Sequence, residues 1–110
     1  MQRIPKQLLC AEATTVASAT EYLTPANTTT TVSACTVTNK TATARLVTVT
    51  ITPSGGTARN VCYLEVIPPN RAINIGGAIG QSFNGGGKFS VAADANAAID
   101  VVVSGYESNL

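Results

Sequence analysis

The chain has 110 residues and a net charge of +1, and only 12% of its residues are charged, about half of the ~25% usual in globular domains. That length fits one domain with a single thin core, burying roughly 65% of the unfolded surface. The basic residues are scattered, so no stripe of them can follow a phosphate backbone and nucleic acid is excluded as an expected partner. No apolar run reaches the ~18 residues of a membrane-spanning helix.

Taken in order, residues 1–7 are polar, basic and interrupted by Pro5, the signature of an extended N-terminal arm that orders against a neighbour. The apolar stretch after it is too short, and broken by Glu12, for a secretion signal; synthesis and retention in the cytoplasm are expected. Residues 8–13 form a short first strand. Residues 14–24 mix Val16, Tyr22 and Leu23 with hydroxyls, which favours strand over helix. Pro25-Ala26-Asn27 marks a turn. Residues 28–38 are dominated by β-branched side chains, which suit a pleated surface. Asn39-Lys40-Thr41 then reads as the turn of a hairpin into residues 43–52.

That next stretch is the clearest strand. Val47, Val49 and Ile51 alternate with Thr48, Thr50 and Thr52, so aliphatics line one face and hydroxyls the other. Pro53 stops the ladder, and Ser54-Gly55-Gly56 turns the chain. In residues 60–67, Cys62, Leu64 and Val66 share one face and Val61, Tyr63, Glu65 and Ile67 the other, until Pro68-Pro69 ends the strand. Residues 72–75 are a short strand, 76–87 a glycine-rich loop, and 88–92 strand again. Residues 97–104 are the last strand, with Ile99, Val101 and Val103 opposite Asp100, Val102 and Ser104; residues 108–110 are a short polar tail. The pattern predicts an all-β, single-domain, two-sheet β-sandwich over residues 8–107, with seven or eight short strands in a jelly-roll-like or an immunoglobulin-like topology.

Catalytic chemistry does not emerge. The chain has no histidine, and Cys10, Cys35 and Cys62 are too far apart for a zinc motif; they read as small buried hydrophobes in a reducing compartment. Gly85-Gly86-Gly87-Lys88 is not a phosphate loop, because Ser82 and Phe89 stand where that motif needs glycine and a hydroxyl residue. The acids are dispersed, with Glu65 and Asp100 at outward strand positions. Asp94 and Asn96 read as turn residues. No enzyme, cofactor or metal is expected.

Four segments carry a resemblance. They are V-T-N-K-T-A-T-A-R-L-V-T-V-T-I-T-P-S-G-G at residues 37–56, V-I-P-P-N at 66–70, G-G-G-K-F-S-V-A-A at 85–93, and I-D-V-V-V-S-G-Y-E at 99–107. Together they resemble the small β-sandwich virion proteins of tailed bacteriophages, over roughly residues 28–107. The best match is to the capsid cement, or decoration, proteins of short-tailed phages. The resemblance implies a structural protein on the outside of a phage head that bridges copies of the major capsid protein, made in the host cytoplasm and resident in the virion. Copies are also expected to pair as a homodimer or homotrimer. Arg3, Ile4 and Lys6 of the arm, with Phe83 and Lys88 around the glycine loop, are the expected partner-binding residues. The alternatives are a tail or head-to-tail accessory protein, for which Phe83 is the candidate sugar platform, and a cellular β-sandwich interaction module.

Overall fold

The alternation of Val47, Val49 and Ile51 with threonine folds as one strand of a two-sheet sandwich. Val47 and Val49 are fully buried and Ile51 packs against the core. The computed structural model describes residues 3–15 and 20–109, with Arg3 and Asn109 by backbone alone. Among these residues the strands are β1 Arg3–Glu12, β2 Glu21–Leu23, β3 Thr28–Asn39, β4 Arg45–Thr52, β5 Arg59–Ile67, β6 Ala72–Asn74, β7 Ser82–Asn84, β8 Lys88–Ala93 and β9 Ile99–Asn109, with a 3-10 turn at Gly76–Ala78. One sheet has the order β1-β9-β3-β6, with β7 also on β3; the other has the order β2-β8-β4-β5.

The pairing is nested. The first strand pairs with the last, β2 with β8, β3 with β6 and β7, and β4 with β5, all antiparallel. A long hairpin rolled up in this way is a jelly roll, which decides between the two topologies left open by the sequence. It also corrects the hairpin expected at Asn39-Lys40-Thr41: β3 and β4 lie in different sheets. The physical reason is Asn39, which is fully buried. Its Nδ2 donates to the carbonyls of Thr43 at 2.8 Å and Ile67 at 3.0 Å, while its Oδ1 accepts from the Thr41 amide at 2.9 Å and the Thr41 hydroxyl at 2.7 Å. The side chain thus pins a corner that carries the chain across the sandwich. Residues 108–110, expected as a tail, belong in part to β9: Ser108 pairs with Arg3 and Thr29. The mixed expectation for residues 14–24 resolves as strand only at β2; residues 16–19 lie outside the described residues.

The core sits between the sheets. Val32, Cys35, Val37, Ile99, Val101 and Val103 from one sheet meet Val47, Val49, Ile67, Phe89 and Val91 from the other, each large aliphatic contributing about 1.5–3 kcal/mol on burial. Two bulges keep this face aligned. In β1 the register shifts between Gln7 and Leu9, and in β3 between Val32 and Ala34. Both flank β9 where Gly105 sits, and a Cβ there would lie 2.0 Å from the Thr31 carbonyl oxygen. In β3 the bulge changes the phase, so that Thr28, Thr30 and Val32 face inward before it and Cys35 and Val37 after it. The buried hydroxyls find partners, as Thr24 Oγ1 does with Thr30 Oγ1 at 2.9 Å.

The outward faces explain the low charge. Thr29 bonds to Asn84 at 3.2 Å, Thr31 to Ser82 at 2.9 Å, Thr36 to Asn74 at 3.0 Å, and Thr50 to Asn60 at 3.4 Å. Cross-strand hydroxyl and amide pairs of this kind hold sheets together without ions.

Candidate functional site: partner-binding surfaces

The arm is not separate. From Arg3 to Gln7 the chain is the first half of β1, and Ile4 pairs with Glu107 and Lys6 with Gly105. The resemblance segment Ser104-Gly105-Tyr106-Glu107 therefore has a structural meaning. Gly105 lets three strands approach one another, and Glu107 reaches across the seam between the sheets. The Tyr22 hydroxyl of β2 donates to Glu107 Oε2. Lys6 Nζ lies 3.3 Å from Glu107 Oε1 and 3.3 Å from the Tyr22 hydroxyl, and 5.4 Å from the centroid of the Tyr22 ring. Carboxylate, phenol and ammonium so close the edge where β1 and β2 face each other.

Lys6, expected as a partner contact, pairs its charge with Glu107 inside its own chain while its side chain stays 44% exposed. Ile4 is exposed and remains on the surface beside that cluster. Arg3 pairs by its backbone with Ser108, and its side chain lies outside the described residues. The reading of Phe83 is corrected. The glycine-rich loop contains β7, and Phe83 is buried with its ring stacked on Phe89, centroids 6.4 Å apart and planes 15° apart. Apolar contact with Phe89 outweighs exposure, so Phe83 offers no ring to a sugar or a capsid. Lys88 opens β8 half-buried, between Leu23 of β2 and Thr52 of β4. The five expected residues thus divide: Arg3, Ile4 and Lys6 share the β1 end, Phe83 is core, and Lys88 stands on the opposite sheet.

The loop does shape a surface feature. An open cleft of about 790 Å³ is lined by Leu23 to Thr29 and by Asn84, Gly85 and Gly86. Its walls meet tightly, since a Cβ on Gly85 would stand 2.9 Å from the Pro25 carbonyl oxygen. No ionisable side chain lines it, so it has no means of acid–base chemistry. Elsewhere Lys40 joins Glu12 at 2.5 Å and Asp100 at 3.1 Å on an exposed face, and these bonds, Glu12 first, hold its ammonium above the ordinary lysine value. Among the described residues no three His, Cys, Asp or Glu side chains gather as metal ligands.

The cysteines differ from one another. Cys35 is buried, and desolvation, with Cys62 nearby, pushes its thiol up to about 12. Cys62 is half-buried, its thiol also raised by burial, and lies 3.7 Å from the Val47 carbonyl oxygen. Cys10 is exposed, against the expectation that all three are buried, because it sits on the outward phase of the edge strand β1. Since the thiolate is the nucleophile, iodoacetamide near pH 8 is expected to label Cys10 first and to leave Cys35 untouched while the fold holds. Peptide mass analysis checks this; early labelling of Cys35 would mean that the space between the sheets is open.

The surface that the sequence left unmarked lies on β5. Tyr63 is 68% exposed, Leu64 47% and Val66 55%, a strip of large apolar side chains on the long edge of the second sheet. The register of β5 against β4 slips twice, between Val47 and Val49 and between Val49 and Thr50. Leu64 adopts φ 52°, a left-handed conformation that bulky residues avoid, and its amide donates to Thr48 Oγ1 at 3.1 Å. The sequence signal was present: apolar residues occupy both faces of residues 60–67, more than one core face needs. Neither a protein-family model nor a curated protein sequence matches this chain.

Proposed function

We propose that the chain is a structural protein of a tailed-phage virion, a cement protein that lies on the outside of the head and stiffens the shell by contacting the major capsid protein. The observation that carries this reading is the pair of broad sheet faces whose hydroxyl and amide groups already bond to each other across strands. Such faces carry few charges, so pressing them against another protein strips few ions from water, the costly part of most polar contacts. Many weak contacts repeated over a shell then add up by multivalency. The rival tail reading loses its sugar platform with Phe83 buried in the core.

Co-sedimentation with phage heads that lack the protein tests the proposal, with stoichiometry read from quantitative gels. Saturation near the copy number of the major capsid protein is expected. A dozen copies or fewer would move the protein to the tail or neck, and absence of binding would leave a cellular interaction module.

A further inference from the structure

We infer that two copies of this chain associate through the β5 edge about a two-fold axis that passes beside Cys62. The inference does not depend on the virion reading. Of the strands at sheet edges, β2, β6 and β7 have three residues each, too few to dock a partner. The β1 edge carries Pro5 and is tied to its own sheet by Lys6 and Glu107, both devices that blunt an edge. Among the described residues β1 exposes one large apolar side chain, Ile4, whereas β5 exposes three, Tyr63, Leu64 and Val66.

Charge identifies the occupant. Arg59 and Glu65 are both exposed, and neither forms an ion pair among the described residues. They stand equally far on either side of Cys62 in the sequence. When two β5 strands run antiparallel about an axis at Cys62, each Arg59 therefore meets the Glu65 of the other copy. The same operation sets Tyr63 opposite Val61 and Leu64 opposite Asn60. The edge is complementary to itself, as an isologous contact requires.

Side chains make this contact. Gly77 of the 3-10 turn stands against Val61, where an added Cβ would lie 3.1 Å from the Val61 carbonyl oxygen, and the double slip and left-handed Leu64 interrupt any regular ladder with an incoming strand. Each copy has one β5, so association stops at two. An edge of this length is about 30 Å long and offers about half of the ~800 Å² per partner of a standard interface, the size class of weak, transient association.

Sedimentation equilibrium from about 10 µM to 1 mM tests the inference on the full chain. A monomer–dimer equilibrium is expected, weakened several-fold on raising the salt from about 0.05 to 0.5 M. Arg59→Glu and Glu65→Arg should each abolish the dimer by setting like charges together, and the double reversal should restore it. Circular dichroism melts check that these exposed substitutions leave the fold intact. A monomer at every concentration, a trimer, single reversals without effect, or a double reversal that fails to restore the dimer would each overturn it. None of these results bears on shell binding, which co-sedimentation reads separately.

Discussion

Replacing Gly105 by alanine is expected to remove about 4 kcal/mol of stability, lowering the melting temperature by roughly 20 °C. The added methyl would sit 2.0 Å from the backbone carbonyl oxygen of Thr31, a distance no side-chain rotation can relieve. Strands β3 and β9 would have to part at the middle of their sheet, where Gly105 pairs with Val32 on one side and Lys6 on the other. Overpacking in a well-filled core ordinarily costs about 1–3 kcal/mol; here a main chain, rather than a mobile side chain, must yield. Differential scanning calorimetry decides the matter, and a melting point within a few degrees of the wild type would show that the bulges beside Gly105 absorb the methyl group.

The second large effect is expected at Asn39. Asn39→Ala removes four hydrogen bonds at a fully buried position and takes a partner from the Ile67 carbonyl and the Thr41 amide, while the Thr43 carbonyl keeps the Thr41 hydroxyl at 2.9 Å. Each buried group left unsatisfied costs about 1–3 kcal/mol, so a loss of about 3 kcal/mol is expected. Asn39→Asp should do no better, because an ionised carboxylate would turn an oxygen toward the two carbonyls that Nδ2 now serves. Urea unfolding of both variants gives the comparison. If Asn39→Asp kept wild-type stability, the donor side of this corner would be unimportant.

These two positions also mark where the sequence could and could not be read. The strands with clean alternation were legible: Val47, Val49 and Ile51 in β4, and Ile99, Val101 and Val103 in β9, point inward as their period requires. Partner choice was not. Asn39-Lys40-Thr41 has the composition of a hairpin turn, but Ile67, one of the groups that Asn39 holds, is 28 residues away, and no local pattern reports that. Lys6 looked free because its acid, Glu107, is 101 residues distant. Phe83 looked exposed because glycines surround it, yet two turns of backbone around a small β7 suffice to deliver its ring to Phe89. In β5 a strict period of two failed because the slips against β4 reset the phase within the strand, so residues assigned to opposite faces, Tyr63 and Leu64, are both exposed.

The nesting of first strand with last governs how this protein comes into being. Because β9 is the central neighbour of both β1 and β3, the first sheet has no middle until β9 has left the ribosome. Contact order is high by construction, and closing such long loops before any reward is collected slows folding into the range of milliseconds to seconds. Through that interval the threonine-rich strands are unpaired, and their hydroxyls and scarce charges are what stand between the nascent chain and aggregation. Cutting the chain before β9 should therefore yield not a smaller domain but an unfolded one.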